Sequence, residues 1–166
     1  MYSVIEDFVW GWEYEIEATT KIFKTIPDEL LVKKIEGYDR TLAFLAWHIT
    51  TSISLLGLKA GLNVFELSPY SEPPNNSALL ASEYRKVSEN LLKEVKEKWN
   101  NESLLELQDI FGEKWMNGKT LAVIAGHQTH HRGQMTALMR ILGIKVPGVY
   151  GPSKEEWVQL GMESQK

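Results

Sequence analysis

Apolar residues recur at three- and four-residue intervals in four long segments of this chain, and that periodicity constrains the fold more than any other feature. In the first segment, about Val4 to Lys24, Ile5, Phe8, Val9, Trp12, Ile16 and Phe23 fall near one face. The second, about Asp39 to Ala60, draws its apolar surface from Leu42, Leu45, Ile49, Leu56 and Leu58. Leu80, Tyr84, Val87, Leu91 and Val95 mark the third, about Ser77 to Trp99. The fourth, about Lys119 to Leu142, carries Leu121, Val123, Ile124, Leu138, Met139, Ile141 and Leu142. Helices of this length must bury their apolar stripes against one another, so the expected fold is all-α, a four-helix bundle.

End signals refine the boundaries. Ser3 and Glu6 fit a capping box at the first start, and Asp39 is the expected N-cap of the second helix. Gly61 and Gly143 suit the ends of the second and fourth. Residues 61–77, with three prolines, form one long connection, and residues 100–118 form another. The run LLELQDIFGEKW in the latter reads as a short strand or an irregular loop. Ser153 and Glu156 form a second capping box, which predicts a short C-terminal helix. Residues 1–166 are expected to be one domain.

The fourth segment contains GHQTHHRGQM, residues 126–135, with three of the chain's four histidines. Successive residues of a helix turn by about 100°, so His127 and His131 lie about 40° apart on one face and can converge on one ion. Gln134 extends the same stripe and can hold a metal-bound water or a ligand histidine by a hydrogen bond, whereas His130 points to a flank and is the weaker ligand candidate, with a supporting or a surface role as its alternatives. Arg132 is expected to form a salt bridge or cap a carbonyl, with a role beside the site in contact with substrate as the alternative. His48, in the second segment, can meet the pair if the second and fourth helices are neighbours. Three protein ligands leave a position open for water or substrate, as in catalytic zinc sites, and imidazole also suits nickel, copper and iron. Gln128 stands where a zincin peptidase carries its glutamate base, which argues against that chemistry.

Other features narrow the function. A net charge of −4 without a basic stripe disfavours nucleic-acid binding. There is no cysteine, so no zinc–thiolate site can form, and any thiol chemistry needs a thiol from the substrate. The acidic N-terminus is unlike a signal peptide, and the apolar stretches read as shorter than a membrane span, so a cytoplasmic location is expected. Glu13, Glu15 and Glu17 alternate and are expected to spread around the surface. Trp12, Trp47 and Trp115 read as core or pocket-lining aromatics. Gly126 and Gly133 suggest that a neighbouring backbone approaches the fourth helix closely.

A histidine midway along the second helix, the pattern H-x-x-H-H-R-G-Q on the fourth, and the tail VPGVYGPSKEEW resemble the DinB/YfiT-like damage-inducible family over nearly the whole chain. That family is distinct from the translesion polymerase of the same name. The resemblance implies a bundle with an unusual helix order, frequent dimers and a metal on three histidines, matching His48, His127 and His131. Some relatives carry glutamate as the middle ligand; His127 keeps the all-histidine version. Characterised relatives include thiol S-transferases that use bacillithiol, mycothiol or glutathione, and a mycothiol-dependent isomerase. The implied activity is conjugation of a small thiol to an electrophile by a homodimer that holds zinc or nickel, with iron or manganese as further options. A metal-dependent hydrolase, a non-catalytic metal-binding stress protein and a metal-free interaction module are the alternatives.

Overall fold

The computed structural model of the chain describes residues 1–163. Four long helices, α1 (Ile5–Lys24), α2 (Leu42–Lys59), α3 (Ser77–Lys98) and α4 (Asn117–Ile141), are followed by a short α5 (Lys154–Gln159). Contacts run α1 to α3, α3 to α2, α2 to α4, and more lightly α4 to α1. The helices therefore circle the core in the order 1-3-2-4. Passing from α1 to α2, or from α3 to α4, means crossing the bundle diagonally. Both crossings need long connections, which explains a third one at residues 25–41, beside the two expected. The connection at 60–76 joins adjacent helices, so its length is surplus to bridging and is available to cover a site.

The core is one cluster in which Phe8, Trp12, Ile22, Phe23, Leu45, Ile49, Tyr84, Leu91, Leu121 and Met139 are fully enclosed. It is partly aromatic, with Phe8 stacked on Trp12 at 5.6 Å and Phe23 tilted against Tyr84 at 5.2 Å. α2 is the one described helix apolar and long enough to span a membrane by length and composition, with a mean hydropathy of 1.3. That exceeds what the sequence led us to expect of any segment. Its apolarity has another cause, because 67% of the helix is buried inside the bundle.

Helix ends depart from the local signals in two places. α1 starts with Val4 as N-cap and makes no side-chain cap, so the Ser3–Glu6 box is not formed. Asn101 Oδ1 accepts the Ile5 N–H at 2.9 Å instead, a tertiary cap from the far end of α3. The N-cap of α2 is Thr41 rather than Asp39, and its hydroxyl accepts from the Phe44 N–H at 3.2 Å. The Ser153–Glu156 capping box forms as expected. Gly61 and Gly143 follow their helices with φ of 81° and 77°, the left-handed conformation that ends a helix.

The run at 107–116 is a β-hairpin, β1 (Leu107–Ile110) antiparallel to β2 (Glu113–Met116). Its turn residues Phe111 and Gly112 both have positive φ, as a two-residue primed turn requires, and Asp109 accepts the Gly112 N–H at 2.9 Å. The hairpin leads straight into α4, whose start is held by the N-terminal segment. Tyr2 N–H donates to the Gly118 carbonyl at 3.1 Å, and a Cβ on Gly118 would lie 2.1 Å from the Tyr2 oxygen. The close backbone approach expected at Gly126 and Gly133 occurs here instead. Both of those glycines face open space, because their side of α4 lies on the surface.

Candidate metal centre

His48 reaches the interior seam between α2 and α4 from one side, and His127 and His131 reach it from the other. One ring nitrogen from each of the three lies within 4.8 Å of the others, an arrangement that could hold a metal ion. The three ring centroids are separated by 4.9, 4.6 and 4.4 Å. The sequence placed His127 and His131 together through helix geometry alone; adjacency of α2 and α4 supplies the condition on which His48 depended.

The donor set suits a divalent cation. His127 Nε2 and His131 Nε2 are 3.1 Å apart. Two ligands about 2.05 Å from a tetrahedral ion would stand roughly 3.3 Å apart, so little movement is needed. Gln134 Oε1 lies 2.8 Å from His131 Nδ1. With the Nδ1–H donated to that oxygen, the Nε2 lone pair of His131 points to its companions. The other end of the same amide, Gln134 Nε2, sits 3.1 Å from His130 Nε2. His130 is exposed and stands outside the three-histidine cluster, bonded to Gln134 and packed edge-on against His131 with ring centroids 4.8 Å apart.

All three imidazoles are held neutral. Burial, reinforced by the charges of His131, His48, His130 and Arg40, pushes His127 down to about 4. Burial also lowers His48, followed by the charges of His131 and Arg40. For His131, burial lowers the pKa and the Gln134 hydrogen bond opposes it. Neutral imidazole is the ligating form, so at neutral pH no proton has to be displaced before a cation binds.

The motif's other half turns the opposite way and is structural. Gln128 Nε2 donates to Glu15 Oε2 at 2.8 Å, and its Oε1 accepts from Tyr84 at 2.6 Å. Arg132 Nη1 bonds Glu15 Oε2 at 2.5 Å and Thr19 Oγ1 at 2.8 Å. Arg132 is thus the expected salt bridge, but fully inside, with 3% of its surface exposed. Tyr150 donates to the second Glu15 oxygen. Its ring also lies 5.4 Å from the Arg132 guanidinium. Glu15 is only 6% exposed, which corrects the expectation that it joins Glu13 and Glu17 on the surface. Those two do face outward, to Lys96 and Arg85. Glu15 is inside because its counter-ion arrives from α4, more than a hundred residues away in the chain.

A cleft of about 270 Å³ opens beside His48, lined by Phe44, Trp47 and residues 69–73 of the 60–76 connection. Trp47 Nε1 donates to Ser71 Oγ at 3.0 Å, and Ser54 Oγ donates to the Phe65 carbonyl at 2.6 Å, so the connection is pinned to α2. Trp47 is therefore a cleft wall, whereas Trp12 is core and Trp115 belongs to the hairpin, where Lys119 lies over its ring. A larger cavity, about 530 Å³, lies on the other flank of α4, among Tyr2, Trp10, Tyr14, Glu15 and Tyr150, away from the histidines. Two residues at the centre carried no functional reading in the sequence. Phe44 stacks on His48 at 5.8 Å and 11°, and Arg40 lies over Phe44 at 5.4 Å. The only local signal was an aromatic and a basic residue four and eight positions before His48.

Fold and centre together define a class of protein: a bundle in 1-3-2-4 order with a three-histidine cluster between its second and fourth helices. The chain belongs to the DinB family, whose model matches residues 1–165. It is 35% identical to the uncharacterized protein YrdA of Bacillus subtilis strain 168, over all of this chain and 99% of that one. Among solved structures, a DinB-like protein from Bacillus cereus ATCC 10987 superposes with a TM-score of 0.84 at 38% identity, covering 90% of this chain and 100% of the other. The DinB-like protein YjoA of B. subtilis, at 23% identity, shares the fold with a TM-score of 0.67, over 86% of this chain and 96% of its own.

Proposed function

We propose that the chain is a divalent-metal-dependent thiol S-transferase, which joins a low-molecular-weight thiol of the bacillithiol type to an electrophile. The observation that carries the reading is the cluster of three neutral histidines with no carboxylate among its donors. Zinc or nickel fits this all-imidazole set best, and iron or manganese would be weaker occupants. When bound, such a cation makes a coordinating thiol a thiolate at neutral pH. Three neutral ligands leave the cation's charge uncompensated, which favours an anionic fourth partner such as a thiolate.

The chain's own residues hold and orient. His48, His127 and His131 hold the cation, and Gln134 fixes the ring of His131. Phe44 supports His48 from one face, and the pinned connection walls the cleft through which an electrophile approaches. In the reaction, the sulfur forms a bond to the electrophilic carbon, the leaving group departs with its bonding pair, and the thiol proton passes to solvent. The chain has no cysteine, so no internal thiol competes for the cation. Hydrolysis at the same open position is the rival chemistry. A non-catalytic metal-binding stress protein is the rival role.

The test is turnover of a panel of electrophiles by metal-loaded protein with bacillithiol, mycothiol and glutathione. Thiol consumption that disappears in His48→Ala and His131→Ala is the expected result. Full metal loading with no conjugation of any of the thiols would refute the transferase, and electrophile loss without thiol would favour the hydrolase. A homodimer belongs to the same proposal, supported by the exposed small residues Gly126, Thr129, Gly133 and Ala137 that share one face of α4. Sedimentation equilibrium reads it directly.

A further inference from the structure

Arg40 is placed just before α2 and makes no ion pair or side-chain hydrogen bond among the described residues. Its guanidinium is nonetheless held, 5.4 Å above the Phe44 ring, and Phe44 in turn stacks on His48 at 5.8 Å. Guanidinium, phenyl and imidazole therefore form one column that ends at the histidine cluster. The Arg40 charge also helps to lower the pKa of His48, His127 and His131. A guanidinium stacked on an aromatic ring keeps its edge N–H groups directed outward, and its planar fork matches a carboxylate.

We propose that Arg40 is a substrate-recognition residue, which selects ligands of the histidine cluster that carry a carboxylate some distance from the donor atom. The inference rests on the proposed thiol chemistry only for the identity of that donor. The column spans at most about 11 Å from the guanidinium to the His48 ring, from the two stacking distances. A ligand whose carboxylate lies several bonds from the donor atom is long enough to cover that span and reach Arg40. The carboxylate belongs either to the thiol or to the electrophile, and the arms of the test separate these.

The experiment uses the full chain loaded with cobalt(II), whose spectrum reports ligand binding without turnover. Mercaptohexanoate and mercaptohexanol, equal in length, are titrated into wild type, Arg40→Gln and Arg40→Lys. Adipate and hexanoate form a thiol-free pair. For an exposed guanidinium, the acid should bind wild type about fivefold tighter than the alcohol at low salt, and adipate tighter than hexanoate. Arg40→Gln should erase both preferences and leave mercaptohexanol unchanged, while Arg40→Lys keeps part of them. A preference seen only in the thiol pair assigns the carboxylate to the thiol. One seen only between adipate and hexanoate, with no sulfur-to-cobalt band from any thiol, overturns the thiol reading and upholds Arg40. Acid-to-alcohol and diacid-to-monoacid ratios that are the same in wild type and Arg40→Gln would overturn the inference.

Discussion

Replacing Arg132 with leucine separates the two halves of the histidine motif. Arg132 is 3% exposed and bonds the carboxylate of Glu15, which is 6% exposed. Without the guanidinium, Glu15 keeps only Gln128 and Tyr150, both neutral. Removing one partner of a buried ion pair typically costs about 3–5 kcal/mol, because the remaining charge stays desolvated. Set against a total stability of about 5–15 kcal/mol, that is about a fifth or more of what holds a domain together. Urea unfolding of the metal-free protein, followed by circular dichroism, measures the loss. The double variant Glu15→Gln with Arg132→Leu should regain much of it, because the orphaned charge is gone. The folded fraction of Arg132→Leu should still bind a divalent cation with wild-type affinity, since the ion pair faces away from His127 and His131. A loss below about 1 kcal/mol, the value of an exposed pair, would refute the burial argument. Loss of metal binding from fully folded protein would refute the separation of roles.

Three further outcomes follow from the geometry. Gln134→Ala should weaken metal affinity by about ten- to a hundredfold while leaving the fold intact, as measured by competition with a chromogenic chelator. Gly118→Ala should destabilise by about 1–3 kcal/mol in thermal melts, because its Cβ would meet the Tyr2 carbonyl at 2.1 Å and displace the N-terminal segment from α4. Acid should weaken the metal-free protein: with His127 held at about 4 in the folded state against 6.5 as its ordinary value, the unfolded chain binds more protons between those limits. Its stability is therefore fully present above about 6.5 and declines as the pH falls to about 4, and His127→Gln should flatten that slope in melts run across the range.

How much of this was legible in the sequence depends on the distance over which each cause acts. The pairing of His127 with His131 was legible because helix geometry alone sets it. The arrival of His48 was legible only as a condition, since it depends on which helices are neighbours. That order follows from diagonal crossings that no local pattern announces. Asp39 and Thr41 were both chemically able to cap α2, and only the path of the backbone chose Thr41. The cap of α1 comes from Asn101, across the bundle, so the local Ser3–Glu6 signal had nothing to decide. Glu15 looked like a surface carboxylate because its counter-ion on α4 is remote in sequence. Gly126 and Gly133 look like contact glycines, yet within one chain they touch nothing. Arg40 carried no signal by itself, and only the fold shows its guanidinium over Phe44, the ring that stacks on His48.

The proposed function requires that His48, His127 and His131, whose ring nitrogens could hold a metal ion, bind a divalent cation and leave it open to a thiol. X-ray absorption at the metal edge of the loaded protein, recorded with and without added bacillithiol, tests this most directly. One shell of three imidazole nitrogens at about 2.0–2.1 Å is expected, joined on thiol addition by one sulfur at about 2.3 Å. A coordination shell already closed by four protein ligands, unchanged by the thiol, would contradict it.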